Sequence, residues 1–201
     1  MRPRPLRRLR RAELPSDTAE LARFLIGKTL VHNFRRTMLS GRIVETEAYL
    51  PGDAAAHSFR GLTPRNRSLF LDRGHAYVYF TYGNHFMLNV SSESAGVGAG
   101  VLLRAVEPIE GIPLMERHRG IRRLLDLTRG PGRLAAAFGI TKRLDGVDLC
   151  VDGPLWLGTP PRAVNSIGIS VRIGISREVH RELRFFERDN PFVSGPRRLR
   201  G

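Results

Sequence analysis

HAYVYFTYGNHFMLNV, residues 75–90, carries the strongest β signal in the chain. Aromatic and β-branched residues run from Tyr77 to Tyr82, Gly83-Asn84 interrupts them, and Phe86, Met87 and Leu88 resume, which is the pattern of a hairpin. Alternation puts Tyr77 and Tyr79 on the face opposite Val78 and Phe80. Tyr82 stands next to the turn, where a strand residue is usually small or polar; a large ring there has little to pack against. The neighbouring segments extend the sheet. VLLRAVE at 101–107 places Arg104 inside an apolar run, where a buried guanidinium needs several acceptors. Residues 41–49 alternate with period two, so that Ile43, Glu45, Glu47 and Tyr49 share one face while Arg42, Val44, Thr46 and Ala48 share the other. From Asp17 the pattern is helical: an N-cap, Glu20 three residues on, Leu21, Phe24 and Leu25 on one face, and Gly27 as a stop. RGPGRLAAAFGI at 129–140 opens a second helix with glycines around Pro131, leaving backbone N–H groups open to an anion with Arg133 beside them. Residues 59–75 read as a connection holding TPRNR at 63–67, and 151–194 as further short strands. These elements predict an α+β fold: a single domain with a mixed, largely antiparallel sheet, a protruding β-hairpin and flanking helices.

At 201 residues and 41% hydrophobic, the chain has enough apolar material for one core. The expected division is a basic flexible arm over 1–15 and one domain over 16–201. Of 33 Lys+Arg set against 19 Asp+Glu, all but Lys28 and Lys142 are arginine, and the formal charge of +14 suits a polyanion such as nucleic acid. Residues 1–12 carry six arginines with no helical apolar face, the composition of an arm that tracks phosphates. No apolar run approaches the roughly 20 residues of a membrane span, and the N-terminus lacks the apolar stretch of a secretory signal. The expected setting is the cytoplasm, on the nucleoid, in a bacterium, or the nucleus in a eukaryote. Cys150, the sole cysteine, has neither a disulfide partner nor a thiolate cluster, and its expected role is packing.

Against this basic background, GRIVETEAYLPGDAAAHS at 41–58 concentrates acids. Cleavage of a glycosidic bond passes through a cationic sugar, so a carboxylate there can orient the attacking water and offset the developing charge. Glu47 and Glu45 both fit, and local spacing does not choose between them. His57 is placed to hold a leaving group or water, and Tyr49, Tyr79 and His57 could sandwich a flat base. Glu45, Glu47, Asp53 and His57 are also the residue types of a divalent-metal site for phosphodiester cleavage, though their spacing matches no specific metal motif. A binder without catalysis is the third class that charge and aromatic content allow. Neither lysine lies in a motif with the acids, which favours hydrolysis by water over attack by an amine.

Taken together and in order, GRIVETEAYLPGDAAAHS, TPRNRSLF, YVYFTYGNHFMLNV, VLLRAVEP and GPGRLAAAFGI resemble the alkyladenine (3-methyladenine) DNA glycosylases over residues 17 to 194. The resemblance implies a monofunctional DNA N-glycosylase that flips out alkylated or deaminated purines (3-methyladenine, hypoxanthine, ethenoadenine, 7-methylguanine) and starts base excision repair. It implies Glu47, not Glu45, as the general base, with Arg104 and His57 sharing the water-positioning site. The resemblance further implies that Tyr49, His57 and Tyr79 stack around the extrahelical base, that Asn89 crowds the amino group of normal guanine, and that Tyr82 is the wedge that fills the vacated stack. Arg65, Arg67, Gly132 and Arg133 are expected on phosphates. The expected partner is double-stranded DNA bearing damaged purines, engaged by a monomer with no cofactor, no metal and no membrane. Asn84 and His85, beside the wedge, depart from the bulkier apolar or aromatic residues of the family.

Overall fold

The structure, a computed structural model, describes residues 6–81, 83, 85–196 and 199. Its elements in chain order are α1 (Thr18–Leu25), β1 (Thr29–Phe34), β2 (Thr37–Tyr49), β3 (Ala76–Thr81), β4 (His85–Ser91), β5 (Gly100–Glu110), α2 (Ile112–Arg119), α3 (Leu124–Leu127), α4 (Pro131–Ala137), β6 (Leu155–Gly158), β7 (Ile167–Ser170) and β8 (Arg184–Glu187). The eight strands form one sheet in the order β3-β4-β5-β2-β1-β6, with β8 joined to β2 and β7 to β8. Every ladder is antiparallel. This is the α+β, single-domain architecture that the sequence predicts. No helix among the described residues is long and apolar enough to cross a membrane.

The helix expected from Asp17 forms as read, its side chain accepting the Glu20 N–H at 2.8 Å. Leu21, Ala22 and Leu25 are buried against the sheet, and the Thr46 hydroxyl donates to the Ala22 carbonyl at 2.9 Å, tying α1 to the middle of β2. Each fully buried leucine contributes about 1.5 to 3 kcal/mol relative to exposure. At the other end of the sheet β3 and β4 pair with Tyr77 opposite Asn89, Tyr79 opposite Met87 and Thr81 opposite His85, leaving 82–84 as the connection. Gly83 has φ of 71°, a left-handed conformation that glycine adopts without steric cost. Tyr82, the expected wedge, and its neighbour Asn84 lie outside the described residues. α4 packs on β4 so closely that a Cβ on Gly132 would stand 3.0 Å from Cγ of His85.

Two features differ from the simple reading. Strict alternation along 41–49 puts Ile43 with Glu45 and Glu47, but the β2–β5 register shifts between Ile43 and Glu45 and again between Glu45 and Thr46. This bulge moves Ile43 into the main core with Leu39 and Ala48 and turns Val44 into a second cluster with Ala105, Phe186, Phe192 and Val193. Secondly, the basic N-terminal segment is attached from its first described residues. Arg7 exchanges hydrogen bonds with Thr159 and Leu9 N–H donates to the Leu157 carbonyl at 2.8 Å, so 7–9 lie along β6; Leu9 and Leu14 are buried, and the Leu14 carbonyl accepts from Arg73 at 3.1 Å. Residues 1–5 of the expected arm are outside the described residues.

Candidate active site

β2 is the central strand of the site because its last residues pair on both sides: Glu45 lies opposite Ala105 of β5 and Phe186 of β8, and Glu47 opposite Leu102 and Arg184. Its carboxylates therefore meet side chains from both neighbours. Arg104 on β5 reaches back between them, its Nε donating to Glu45 Oε1 at 2.9 Å, Nη1 standing 3.0 Å from Glu47 Oε1, and Nη2 donating to the Ser194 hydroxyl at 3.3 Å. The buried guanidinium thus has the several acceptors its place in an apolar run demands. Its pKa lies above the ordinary arginine value: burial opposes its charge, but Glu47 and Glu45 outweigh burial.

Glu45 is enclosed. Arg184 Nε donates to the same Oε1 at 2.6 Å, and the Ser194 N–H donates to Oε2 at 2.7 Å. Burial works to raise this carboxyl, but Arg104, then Arg184 and the Ser194 N–H hold it below the ordinary carboxylate value. Glu47 has no exposed surface either. Its Oε1 accepts the Ile173 N–H at 2.7 Å and its Oε2 the Tyr49 hydroxyl at 3.0 Å. Burial is the dominant influence on Glu47; Arg104 and the Ile173 N–H counter it only in part, and the charge on Glu45 adds to it, so its pKa is raised.

Arg104, Tyr49 and Ile173, all in contact with Glu47, line a cavity of about 510 Å³. Its aromatic wall is built from β3 and the loop after β2. Tyr77 and Tyr79, two apart on β3, are stacked with centroids 5.4 Å apart and planes at 29°, and the His57 ring meets Tyr79 edge-on at 4.3 Å. His57 Nδ1 is 3.0 Å from the Tyr77 hydroxyl. Desolvation, and then the charge of Arg65, depress the His57 pKa below the ordinary imidazole value. Asn89, opposite Tyr77 across the hairpin, lines the same cavity and donates to the Tyr77 carbonyl at 3.3 Å. The loop carrying His57 is stapled by Asn66, which donates to the carbonyls of His57 and Gly61 at 2.9 and 3.0 Å.

The structure thus brings Glu47, Tyr49, His57, Tyr79, Asn89 and Arg104 together at one place. The four residues expected on phosphates are spread over the surface. Arg65 and Arg67 are exposed, with Arg65 donating to the Phe80 carbonyl at 3.2 Å; Gly132 lies under His85; and Arg133 is 3.2 Å from Asp126. Asp53, grouped in the sequence with Glu45, Glu47 and His57 as metal-ligand types, instead pairs with the buried Arg172. Among the described residues no three His, Cys, Asp or Glu side chains converge in a metal-binding arrangement. The acids of 41–58 are matched one by one to buried arginines: Glu45 to Arg104 and Arg184, Glu47 to Arg104, Asp53 to Arg172.

Sequence reading did not select Tyr77, Arg172, Ile173, Arg184 or Ser194. For Tyr77 a signal existed, since it shares a strand face with Tyr79. Ile173 meets Glu47, and Ser194 meets Glu45, through backbone N–H groups, which leave no trace in residue type.

The sequence profile of methylpurine-DNA glycosylase matches residues 12–191. A protein of Mesorhizobium japonicum is 62% identical over 189 residues, covering 94% of this chain and 91% of its own length. One from Paraburkholderia phytofirmans is 55% identical over 195 residues (97% and 92%), and one from Methanoculleus marisnigri 45% identical over 182 residues (89% and 94%). All three are provisionally named 3-methyladenine DNA glycosylase. A match of this extent, on a chain whose buried acids and clustered rings adjoin one cavity, shows that it belongs to the methylpurine-DNA glycosylase family, DNA-repair enzymes that hydrolyse N-glycosyl bonds.

Proposed function

We propose that the chain is a monofunctional glycosylase that everts alkylated or deaminated purines from double-stranded DNA and hydrolyses the glycosidic bond with water activated by Glu47. One observation carries this reading: the Glu47 carboxylate, bound by Arg104, Ile173 and Tyr49, sits directly behind the cavity walled by Tyr49, Tyr79 and His57. Eversion costs a few kcal/mol of stacking, least at a damaged or mispaired base. Stacking on the rings returns about 1 to 3 kcal/mol per base. Tyr82 is the residue we assign to the vacated stack, and Asn89 the one that crowds normal guanine. Arg65, Arg67, Arg133 and the Gly132 amide hold the phosphates, and a monomer suffices.

In the reaction, water adds to the sugar carbon and loses a proton to Glu47 while the bond to the purine nitrogen breaks and its electron pair leaves with the base. A cationic base such as 3-methyladenine departs neutral. A neutral one such as hypoxanthine, ethenoadenine being the same case, takes up a proton as it leaves; 7-methylguanine belongs with the cations. The ionised carboxylate also offsets the cationic sugar. Because Glu47 has no exposed surface, the water enters between the carboxylate and the three groups that separate it from the cavity; Oε2, which accepts from Tyr49, offers it a further lone pair. Lys28 stands over the Phe24 ring and Lys142 donates to the Val78 carbonyl and Asp145; neither lines the cavity, in keeping with water as nucleophile.

The test is single-turnover release of hypoxanthine or 3-methyladenine from duplex DNA. Free base without strand breakage is expected, and Glu47→Gln should slow release by about 10² to 10⁴-fold. Release untouched by Glu47→Gln, or chelator-sensitive cutting of undamaged DNA, overturns the reading.

A further inference from the structure

The donor that Glu47 takes from the backbone comes from an irregular stretch. Residues 171–175 link β7 to the turn before β8 and belong to no strand or helix, yet the Ile173 N–H is 2.7 Å from Glu47, and Ile173 and Gly174 line the cavity. Arg172 fastens this stretch. It is 4% exposed, donates to the Ala48 carbonyl at 3.0 Å, and pairs with both carboxylate oxygens of Asp53. Its guanidinium carbon lies 4.7 Å from the centroid of the Tyr49 ring. Asp53, 1% exposed, also accepts the Ala55 N–H at 2.9 Å, at the start of the turn leading to His57. One guanidinium therefore joins the end of β2, the Tyr49 ring, the His57 loop and the Ile173 amide.

Stability alone is a poor account of this pair. A buried ion pair gains little over apolar side chains of the same volume, and the Arg172 Nε is buried without a hydrogen-bond partner. Its geometry is specific, because only a planar fork bonds a carboxylate with two nitrogens while lying against a ring.

We propose that Arg172 and Asp53 are positioning residues for base release: together they hold the Ile173 N–H on Glu47 and the Tyr49 ring against the cavity. This rests on the reading of Glu47 as the reacting carboxylate. Losing the Ile173 N–H removes an influence that lowers the Glu47 pKa, so the acid limb of the rate profile moves to higher pH. The other groups facing Glu47 remain in place: Glu45 and Tyr49 on its own strand, Arg104 from β5 and Arg184 from β8.

The experiment measures hypoxanthine release against pH for the full chain carrying Asp53→Asn or Arg172→Lys, with thermal melting and binding to undamaged duplex as controls. Release should slow by about tenfold to a hundredfold, as expected for a reacting group displaced from its alignment. The acid limb should shift upward, and affinity for undamaged DNA should stay the same. Folded variants with an unmoved acid limb and an unchanged rate overturn the proposal, since a purely structural pair lowers the melting temperature and leaves the profile of the folded fraction where it was. If neither variant folds, amide exchange in the unaltered protein decides: protection at Ile173 matching that of β2 is expected, and exchange at the rate of an open loop overturns it. Glu47→Gln in the same assay separates the two readings. If that variant is inactive while Asp53→Asn is normal, only the present inference falls; if it is fully active, the assignment of Glu47 falls.

Discussion

Glu45 and Glu47 lie two residues apart on β2, are both fully buried, and share the guanidinium of Arg104, yet their surroundings push them in opposite directions. Around Glu45 two guanidiniums and a backbone N–H meet every demand a carboxylate makes, and its ionised form is the comfortable one. Around Glu47 there is one shared guanidinium, one N–H and one phenol, so its ionised form is held at a cost. Proximity to a cation does not by itself determine what a buried acid does; the count of charges against the loss of water determines it. A carboxylate that holds its proton more tightly than usual is the better base once ionised, which supports Glu47 over Glu45 as the reacting group.

The harshest test of the contrast is Glu45→Gln. It strands Arg184 and half of Arg104 without an anion, and breaking such a pair costs about 3 to 5 kcal/mol, measurable by urea unfolding at neutral pH. A change below 1 kcal/mol would show that Glu45 is not the structural counter-ion described here.

The next test uses pH. The Glu45 pKa is lowered in the fold, so its stabilisation is complete above the ordinary carboxylate value and disappears only as the pH falls through the lowered one. The Glu47 pKa is raised, and in the proposed reaction its ionised form is the active one, so release should decline by about tenfold per pH unit on the acid side of that raised value. A pH interval is expected in which the protein is folded but reversibly inactive, detectable by following circular dichroism and base release on the same samples. Simultaneous loss of both signals would remove the distinction between the two acids.

A finer probe is Tyr49→Phe, which keeps the ring and deletes the hydroxyl bound to Glu47 Oε2. Release should slow by about tenfold, the worth of one hydrogen bond to a charged group, with the acid limb moved upward and the urea midpoint nearly unchanged. An unaltered acid limb would mean that the phenol does not tune Glu47.

Much of this arrangement was legible in the chain. The Asp17 cap, the β3–β4 pairing and the need of Arg104 for acceptors follow from local residue types, because caps, turns and buried charges impose local rules. The bulge at Val44 was not legible, since β2 alone alternates well enough; its register is decided by β5 on one side and β8 on the other. The docking of residues 7–14 was hidden because four arginines dominate that stretch while Leu9 and Leu14 do the burying. The partners of the acids were hidden by distance along the chain: Arg172, Ile173 and Arg184 lie more than a hundred positions from the acids they bind. The resemblance named six residues that the fold gathers at one cavity, Arg104 among them, but not Arg172 and Arg184, the further arginines that pair with the buried acids.

Ser194 has a consequence of its own. Its amide and hydroxyl serve Glu45 and Arg104, and its carbonyl accepts from Arg184 at 3.0 Å, so a residue 149 positions beyond Glu45 completes a charge cluster begun on β2. During synthesis the acids leave the ribosome roughly 150 residues before that last partner, and until it arrives they are better left in water. A nascent chain therefore carries the acids of β2 long before it carries the Ser194 group that completes their bonding.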